Sequence, residues 1–237
     1  MQKLTEHTGL SYEGKAKAYA EKVDSKPWNA FYERPAVISL LPPLDNAKVL
    51  DAGCGSGWYC EFLLSRGATV TAFDLNADFV GLTQSRVGNR AQVLEADLAA
   101  PLYFAADNEF DLVVCPLVMH YLKDWRPAFR EFHRVLKPDG VLVFSTHHPF
   151  MDWSFFKRDN YYATEMLEDQ WDIGKVRFYR RPLTAMSQDL DFTGFFIERL
   201  LEPQPTEDFL RVHPREHERL TKNPQFLVIR ARKRTAV

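Results

Sequence analysis

The sequence predicts an α/β fold, a doubly wound and mostly parallel sheet with helices on both faces. Three observations carry that expectation. Five short apolar runs, at 48–50, 68–73, 92–94, 110–115 and 141–145, have the length and composition of buried strands. Helical patterns at 58–66, 77–88 and 124–137 separate several of them, the connection that parallel pairing requires, and strands apolar on both faces suit a sheet covered from both sides. At the first run, KVLDAGCGSGWY (48–59) passes from strand through a glycine turn into a helix start.

Taken in order, residues 1–23 are polar, with Tyr12, Ala16, Ala18, Tyr19 and Ala20 spaced as in a helix of modest amphipathicity that Pro27 breaks. A second helical segment begins near Asn29, carries Phe31, Val37, Ile38, Leu40 and Leu41, and stops at Pro42 and Pro43. Both precede the first strand, so they must lie over the sheet or over a ligand mouth. Gly67 is placed to cap helix 58–66, and helix 77–88 closes near Gly88. Residues 98–109 read as loop. Helix 124–137 carries Trp125, Phe129, Phe132, Val135 and Leu136 at helical spacing, and LKPDG turns the chain into the fifth strand. Beyond a long connection, Leu200 to Pro205 reads as a strand leaving through a proline turn, 206–222 is charged and partly helical, and the last strand is expected at 226–229. One domain over 1–237 is expected, divided into a helical cap (1–44), a ligand-binding core (45–148), an insertion (149–182) and a C-terminal part of the sheet (183–237).

At 237 residues and 46% hydrophobic content, the chain has ample material for one sizeable core. With 30 basic against 32 acidic residues the formal charge is −2, so no long-range field gathers a polyanion and a dedicated nucleic-acid binder is disfavoured. Cys54, Cys60 and Cys115 make neither a disulfide framework nor a paired Cys-x-x-Cys metal site, which fits a reducing cytoplasm. MQKLTEHTGL lacks a charged start followed by an apolar run, and no stretch approaches the roughly 18 apolar residues of a membrane span. A soluble cytoplasmic protein is the expectation.

Three glycines in five residues, Gly53, Gly55 and Gly57, need a reason, because each costs conformational entropy. A dinucleotide fingerprint is excluded: Trp58 stands where Gly-x-Gly-x-x-Gly requires its last glycine. No Gly-Lys-Ser/Thr follows, so a Walker loop is excluded too. What remains is a glycine loop opened by Asp51, whose fixed negative charge suits a ligand that carries a cation.

In a sheet of this kind ligands bind beyond the carboxyl ends of the strands. Asp74 stands at the second of those ends, 23 residues after Asp51. Its carboxylate can accept both hydroxyls of a ribose, or it can cap helix 77–88. Leu75 would then lie against an adenine face. Asp97 and Leu98, at the third strand end, can take an adenine amino group and donate a backbone N–H to the ring, or Asp97 is a solvated loop acid.

VLDAGCGSG, VTAFDLN, EADL, FDLVVCPLVMHYLKDW and FREFHRVLKPDGVLVFSTHHPF together resemble successive motifs of the class I S-adenosylmethionine-dependent methyltransferases. The group is the small-molecule one to which ubiquinone and menaquinone biosynthesis methyltransferases are similar. The resemblance covers residues 45–150, with 194–203 and 226–233 similar to the two final strands. It implies a seven-stranded Rossmann-like sheet whose last strand inserts antiparallel beside the fifth, and S-adenosyl-L-methionine as cofactor with S-adenosyl-L-homocysteine as product. It further implies that Asp51, Gly53, Cys54, Gly55 and Gly57 surround the methionine part, Asp74 and Leu75 the ribose and adenine edge, and Asp97 and Leu98 the adenine. Cys115 and Pro116 would flank the methyl-bearing sulfur. Bulky Trp58 narrows the mouth. Tyr32 and Arg34, in NAFYERP, stand to close over the ligand and hold its carboxylate; the alternative is a surface charge beside a core aromatic.

Methyl transfer from a sulfonium is an in-line displacement that chiefly needs alignment and exclusion of water. A general base is needed only when the nucleophile carries a proton. His120, His147 and His148 lie where such a base belongs, although each also has a packing or turn-shaping role available. They come from different loops without a short ligand spacing, so no metal is expected. The connection 149–182 is long and interleaves aromatic residues with Lys157, Arg158, Arg177, Arg180 and Arg181. It is expected to cover the methyl acceptor and supply an apolar pocket. Base stacking by such a segment is diluted by its acids, and a homodimer contact is a further use for it. The function expected is methylation of a small-molecule acceptor; the alternatives are an RNA methyltransferase and a non-catalytic binding or partner protein.

Overall fold

A computed structural model describes residue 14 and residues 16–171 and 174–234. Its strands are β1 (Lys48–Ala52), β2 (Thr69–Asp74), β3 (Gln92–Glu95), β4 (Phe110–Pro116), β5 (Leu136–His147), β6 (Glu165–Trp171), β7 (Gly174–Arg180), β8 (Phe195–Leu201) and β9 (Phe226–Lys233). Seven of them form one sheet in the order β3-β2-β1-β4-β5-β9-β8, and β6 and β7 form a separate hairpin. The first five run parallel, while β9 lies antiparallel between β5 and β8. The strand order reverses between β1 and β4, so the crevice at their carboxyl ends is where a ligand fits.

Period-2 alternation along the strands builds two cores. Leu50, Val113, Leu142 and Phe144 face one side, where helix α5 (Arg126–Val135) delivers Phe129 and Phe132 and helix α7 (Leu183–Phe192) delivers Met186 and Leu190. Val49, Leu112, Val114 and Val143 face the other, against Val37 of α2 (Arg34–Ser39) and Cys60 and Leu63 of α3 (Trp58–Ser65). Each large side chain so buried contributes about 1.5–3 kcal/mol. Helix α4 (Ala77–Val87) follows β2, and α1 (Ala16–Val23) packs on it. The expected Tyr12 lies outside the described residues.

Four segments differ from the sequence expectation. β5 begins at Leu136, five residues early, because Leu136 pairs with Phe110 and an irregular register before Leu112 absorbs the LKPDG turn, with Asp139 at φ 61°. The insertion carries regular structure, a helix α6 (Pro149–Phe155) and the β6–β7 hairpin. Its strands are hard to read because Glu165, Glu168 and Asp169 fall on β6, yet Arg158 and Arg180 engage Glu165, and Lys175 and Arg177 engage Glu168, while Leu167, Val176 and Phe178 turn inward. Residues 183–192, grouped with the sheet on sequence, are helical. The last strand continues four residues beyond 229, where Arg230 and Arg232 pair with Glu198 of β8. Segment 206–222 forms α8 (Glu207–Val212) and α9 (Pro214–Lys222). Among the described residues no helix is long and apolar enough to cross a membrane.

Candidate active site

The glycine turn is tied to β2 by two backbone bonds, from Gly53 N and Cys54 N to Phe73 O (2.8 and 2.9 Å). Gly55 has φ +54° and nothing within 4 Å of the place a Cβ would take, so its backbone borders open space. Gly57 serves packing instead. At φ +81°, a Cβ there would stand 2.8 Å from Thr83 Oγ1 and 3.1 Å from Thr83 Cα, so the glycine lets α3 and α4 approach closely.

A cavity of about 160 Å³ lies against this turn, lined by Gly53, Cys54, Gly55, Asp74, Leu75, Asp97, Leu98, Pro116 and Arg34 among others. Nine of the expected ligand-binding residues therefore meet around one space. Asp74 accepts from Gly55 N through Oδ2 and from Asn76 N through Oδ1, both at 2.9 Å. The cap of α4 is Asn76, not Asp74. Burial raises the Asp74 carboxyl above its ordinary range, and a carboxylate keeps lone pairs beyond the two used, available to ribose hydroxyls. Asp97 Oδ1 accepts from Ala99 N at 2.8 Å, which fixes its orientation at the cavity edge.

The remaining four are placed elsewhere. Tyr32 is fully buried among Phe209, Leu220 and Phe226, and its hydroxyl accepts from Gln225 N at 3.0 Å. It is a packing residue and does not line the cavity. Gly57 lies behind the turn, and Cys115 is buried in the core. Asp51 is 1% exposed and stands behind the loop, with neither carboxylate oxygen in a hydrogen bond. Burial first, and then the nearby Asp74, push its carboxyl up to about 7. Arg34 does line the cavity, but its guanidinium donates to Asp24 O and Val23 O (2.8 and 3.1 Å) and covers the Trp58 ring at 4.2 Å.

Glu33, which no sequence signal singled out, faces the cavity and is buried. It accepts from Tyr59 Oη at 2.9 Å and Ser145 Oγ at 2.5 Å, and burial raises its carboxyl. The lining acids are thus Glu33, Asp74 and Asp97, the lining cation is Arg34, and an unpartnered Asp51 sits close behind. That balance fits a cationic nucleoside: an ammonium or sulfonium offsets the cost of carboxylates held out of water.

A second, larger chamber of about 610 Å³ adjoins the first, with Asn29, Leu117 and Tyr121 lining both. Leu117 adopts φ 54°, a costly conformation for a branched residue, and its N–H is held by Ser145 O and Oγ, each at 3.0 Å. The chamber walls include Trp28, Phe155, Phe156, Trp171, Phe178 and Phe226, so α6 and the hairpin close one side of it.

Two of the three histidines enter this chamber. The His120 and His147 rings stack with centroids 4.3 Å apart. Both nitrogens of His120 are buried without partners, and burial, with His147 and Arg181 adding to it, holds its pKa well below the usual histidine range. His148 turns away to pair with Glu202 Oε1 at 2.8 Å and lines neither cavity, which corrects its place among the possible bases. Among the described residues no group of three His, Cys, Asp or Glu is arranged to hold a metal.

Residues 50–144 match the family described as "Methyltransferase domain". The chain is 27% identical over 234 residues to an uncharacterized protein of Haemophilus influenzae, covering 86% of this chain and 88% of that one. It is 38% identical over 113 residues to a malonyl-[acyl-carrier protein] O-methyltransferase of Enterobacter lignolyticus, covering 47% of this chain and 43% of that protein. In fold it is similar to an S-adenosylmethionine dependent methyltransferase of Mesorhizobium loti, with a TM-score of 0.71 and 24% identity over 89% of this chain and all of the other. With the strand order and the glycine turn in agreement, residues 50–144 form a methyltransferase domain, and the chain has the Rossmann-like fold of the S-adenosylmethionine-dependent methyltransferases.

Proposed function

We propose that this methyltransferase carries the methyl group of S-adenosyl-L-methionine to a small-molecule acceptor held in the aromatic chamber. The observation that carries the reading is the shared wall: Asn29, Leu117 and Tyr121 line both cavities, so an acceptor in the larger one lies beside the ligand in the smaller. Asp74, Asp97 and Glu33 bind and orient the nucleoside, the glycine turn admits it closely, and the ring-lined chamber excludes water from the displacement. The aromatic side chains along the chamber wall, with Asp152, Asp169 and Glu216 among its other lining residues, suit a compact apolar body better than a polyanion. The match to an enzyme named for a malonyl-[acyl-carrier protein] supports an acceptor other than nucleic acid.

The test is transfer from methyl-tritiated S-adenosylmethionine into two fractions, a small-metabolite extract and total RNA. Label in the metabolite fraction is the expected result. Label confined to RNA would refute the small-molecule reading while leaving the family intact.

A further inference from the structure

His147 closes β5 and projects into the chamber, and Asp152 stands one turn into the helix that follows. His147 Nδ1 lies 3.6 Å from Asp152 Oδ1, within ion-pair range and longer than a hydrogen bond. Both atoms are buried without other partners, and Asp152 as a residue is 2% exposed. A carboxylate held out of water with an idle oxygen is expensive, and a proton arriving on the adjacent imidazole relieves that cost. Such pairs are often long before substrate binds and shorten in the reacting complex.

The surroundings decide which histidine takes the proton. His120 has no acidic partner and is held neutral by burial, so it serves as a flat wall against the His147 ring. His147 is wedged on its other sides by Phe178 at 4.6 Å and Trp171 at 5.9 Å between centroids, which fixes the ring plane. With Nδ1 toward Asp152, Nε2 remains for the chamber. The charged groups facing this space are Asp152, Asp169, Glu216, Arg219 and Lys26, and Asp169 and Arg219 are already bonded to Trp171 Nε1 and to Glu216 with Gln225.

Resting on the proposed methyl transfer, we infer that His147 is the general base of this site, that Asp152 is its positioning residue, and that the acceptor is a protic oxygen nucleophile on an aromatic or enolic body. As the acceptor oxygen attacks the methyl carbon, the C–O bond forms and the C–S bond breaks with its electron pair returning to sulfur. The O–H proton passes to His147 Nε2, and the imidazolium is held by Asp152 until it loses the proton to solvent. A thiolate or a free amine would need no such pair, which is why the pair selects the acceptor class.

4-Nitrophenol is a direct probe, because its phenolate absorbs separately from the phenol. It is added to protein saturated with S-adenosylhomocysteine, at a pH below the free phenol's own pKa, with cofactor binding followed by calorimetry in the same samples. Wild type is expected to bind it as phenolate. His147→Gln should lower the phenolate fraction by about tenfold or more, the loss of roughly one unit of pKa advantage, and Asp152→Asn should lower it less. His148→Gln, at a residue that lines neither cavity, should leave it nearly unchanged. Normal cofactor binding with bound neutral phenol, with no bound phenol, or with an unchanged band in His147→Gln would overturn the inference. Absent cofactor binding would instead count against the proposed function.

Discussion

Gly55 and Gly57 stand two residues apart with similar backbone angles, and the structure assigns them different work. Adding a methyl group at either position imposes left-handed strain of about 1–2 kcal/mol. At Gly57 the new Cβ also meets Thr83, whose Oγ1 at 2.8 Å is bonded to Gly55 O and whose backbone is 3.1 Å away, so overpacking adds about 1–3 kcal/mol. At Gly55 nothing lies within 4 Å and the Cβ enters the cavity border. Gly57→Ala should therefore cost about 2–5 kcal/mol and lower Tm by roughly 5–20 °C, against roughly 2–8 °C for Gly55→Ala. Calorimetric binding of S-adenosylhomocysteine should reverse the order, with Gly55→Ala losing about tenfold or more in affinity despite the milder structural effect. Equal Tm shifts, or wild-type affinity in Gly55→Ala, would refute the division between a packing glycine and a ligand-facing one.

Other substitutions test other parts of the molecule. Asp74→Ala should weaken cofactor binding by about 1–3 kcal/mol by leaving ribose hydroxyls unpaired, and unchanged calorimetric affinity would remove Asp74 from the site. Asp51 has a carboxyl raised from 3.8 to about 7 by burial, so its native state favours the proton. That contribution is complete below the unfolded pKa and is lost as pH rises through about 7. In the ligand-free protein Asp51→Asn should therefore gain stability relative to wild type between pH 4 and 7, on the order of 2–4 kcal/mol; a pH-independent difference in chemical denaturation would contradict it. Arg180 is fully buried and donates to Asn160 O and Tyr161 O, both at 2.8 Å, as well as to Glu165. Arg180→Ala should destabilise the hairpin by about 3 kcal/mol and speed limited proteolysis within 156–182, with an unchanged cleavage rate as the contrary result.

The sheet was legible because its strands announce themselves twice, by apolar runs and by the polar residues that end them. Asp74 and Asp97, expected at strand ends from their position, both line the cavity. Asp51 is buried outside the cavity lining, a difference that its position in the sequence does not carry. Tyr32, Glu33 and Arg34 are successive residues, and only the packing of Tyr32 on Phe209 and Phe226 decides that Glu33 and Arg34 line the cavity while Tyr32 does not, with Glu33 bonded to Tyr59 and Ser145. The β6–β7 hairpin is hidden by acids whose arginine and lysine partners, on β7 or in the segment before β6, lie 7 to 15 residues away in sequence. Leu117 carries no local signal at all, since its backbone strain is imposed by Ser145 on the neighbouring strand.

The claim on which the rest depends is that one rim of the sheet cradles a cationic nucleoside whose sulfur opens onto the aromatic chamber. A crystal structure with S-adenosylhomocysteine reads this out atom by atom. The ribose hydroxyls should lie on the Asp74 carboxylate, the adenine against Leu75 and Leu98, and the sulfur at the wall formed by Leu117 and Tyr121. A nucleoside bound elsewhere, or a sulfur turned away from that wall, would contradict the claim.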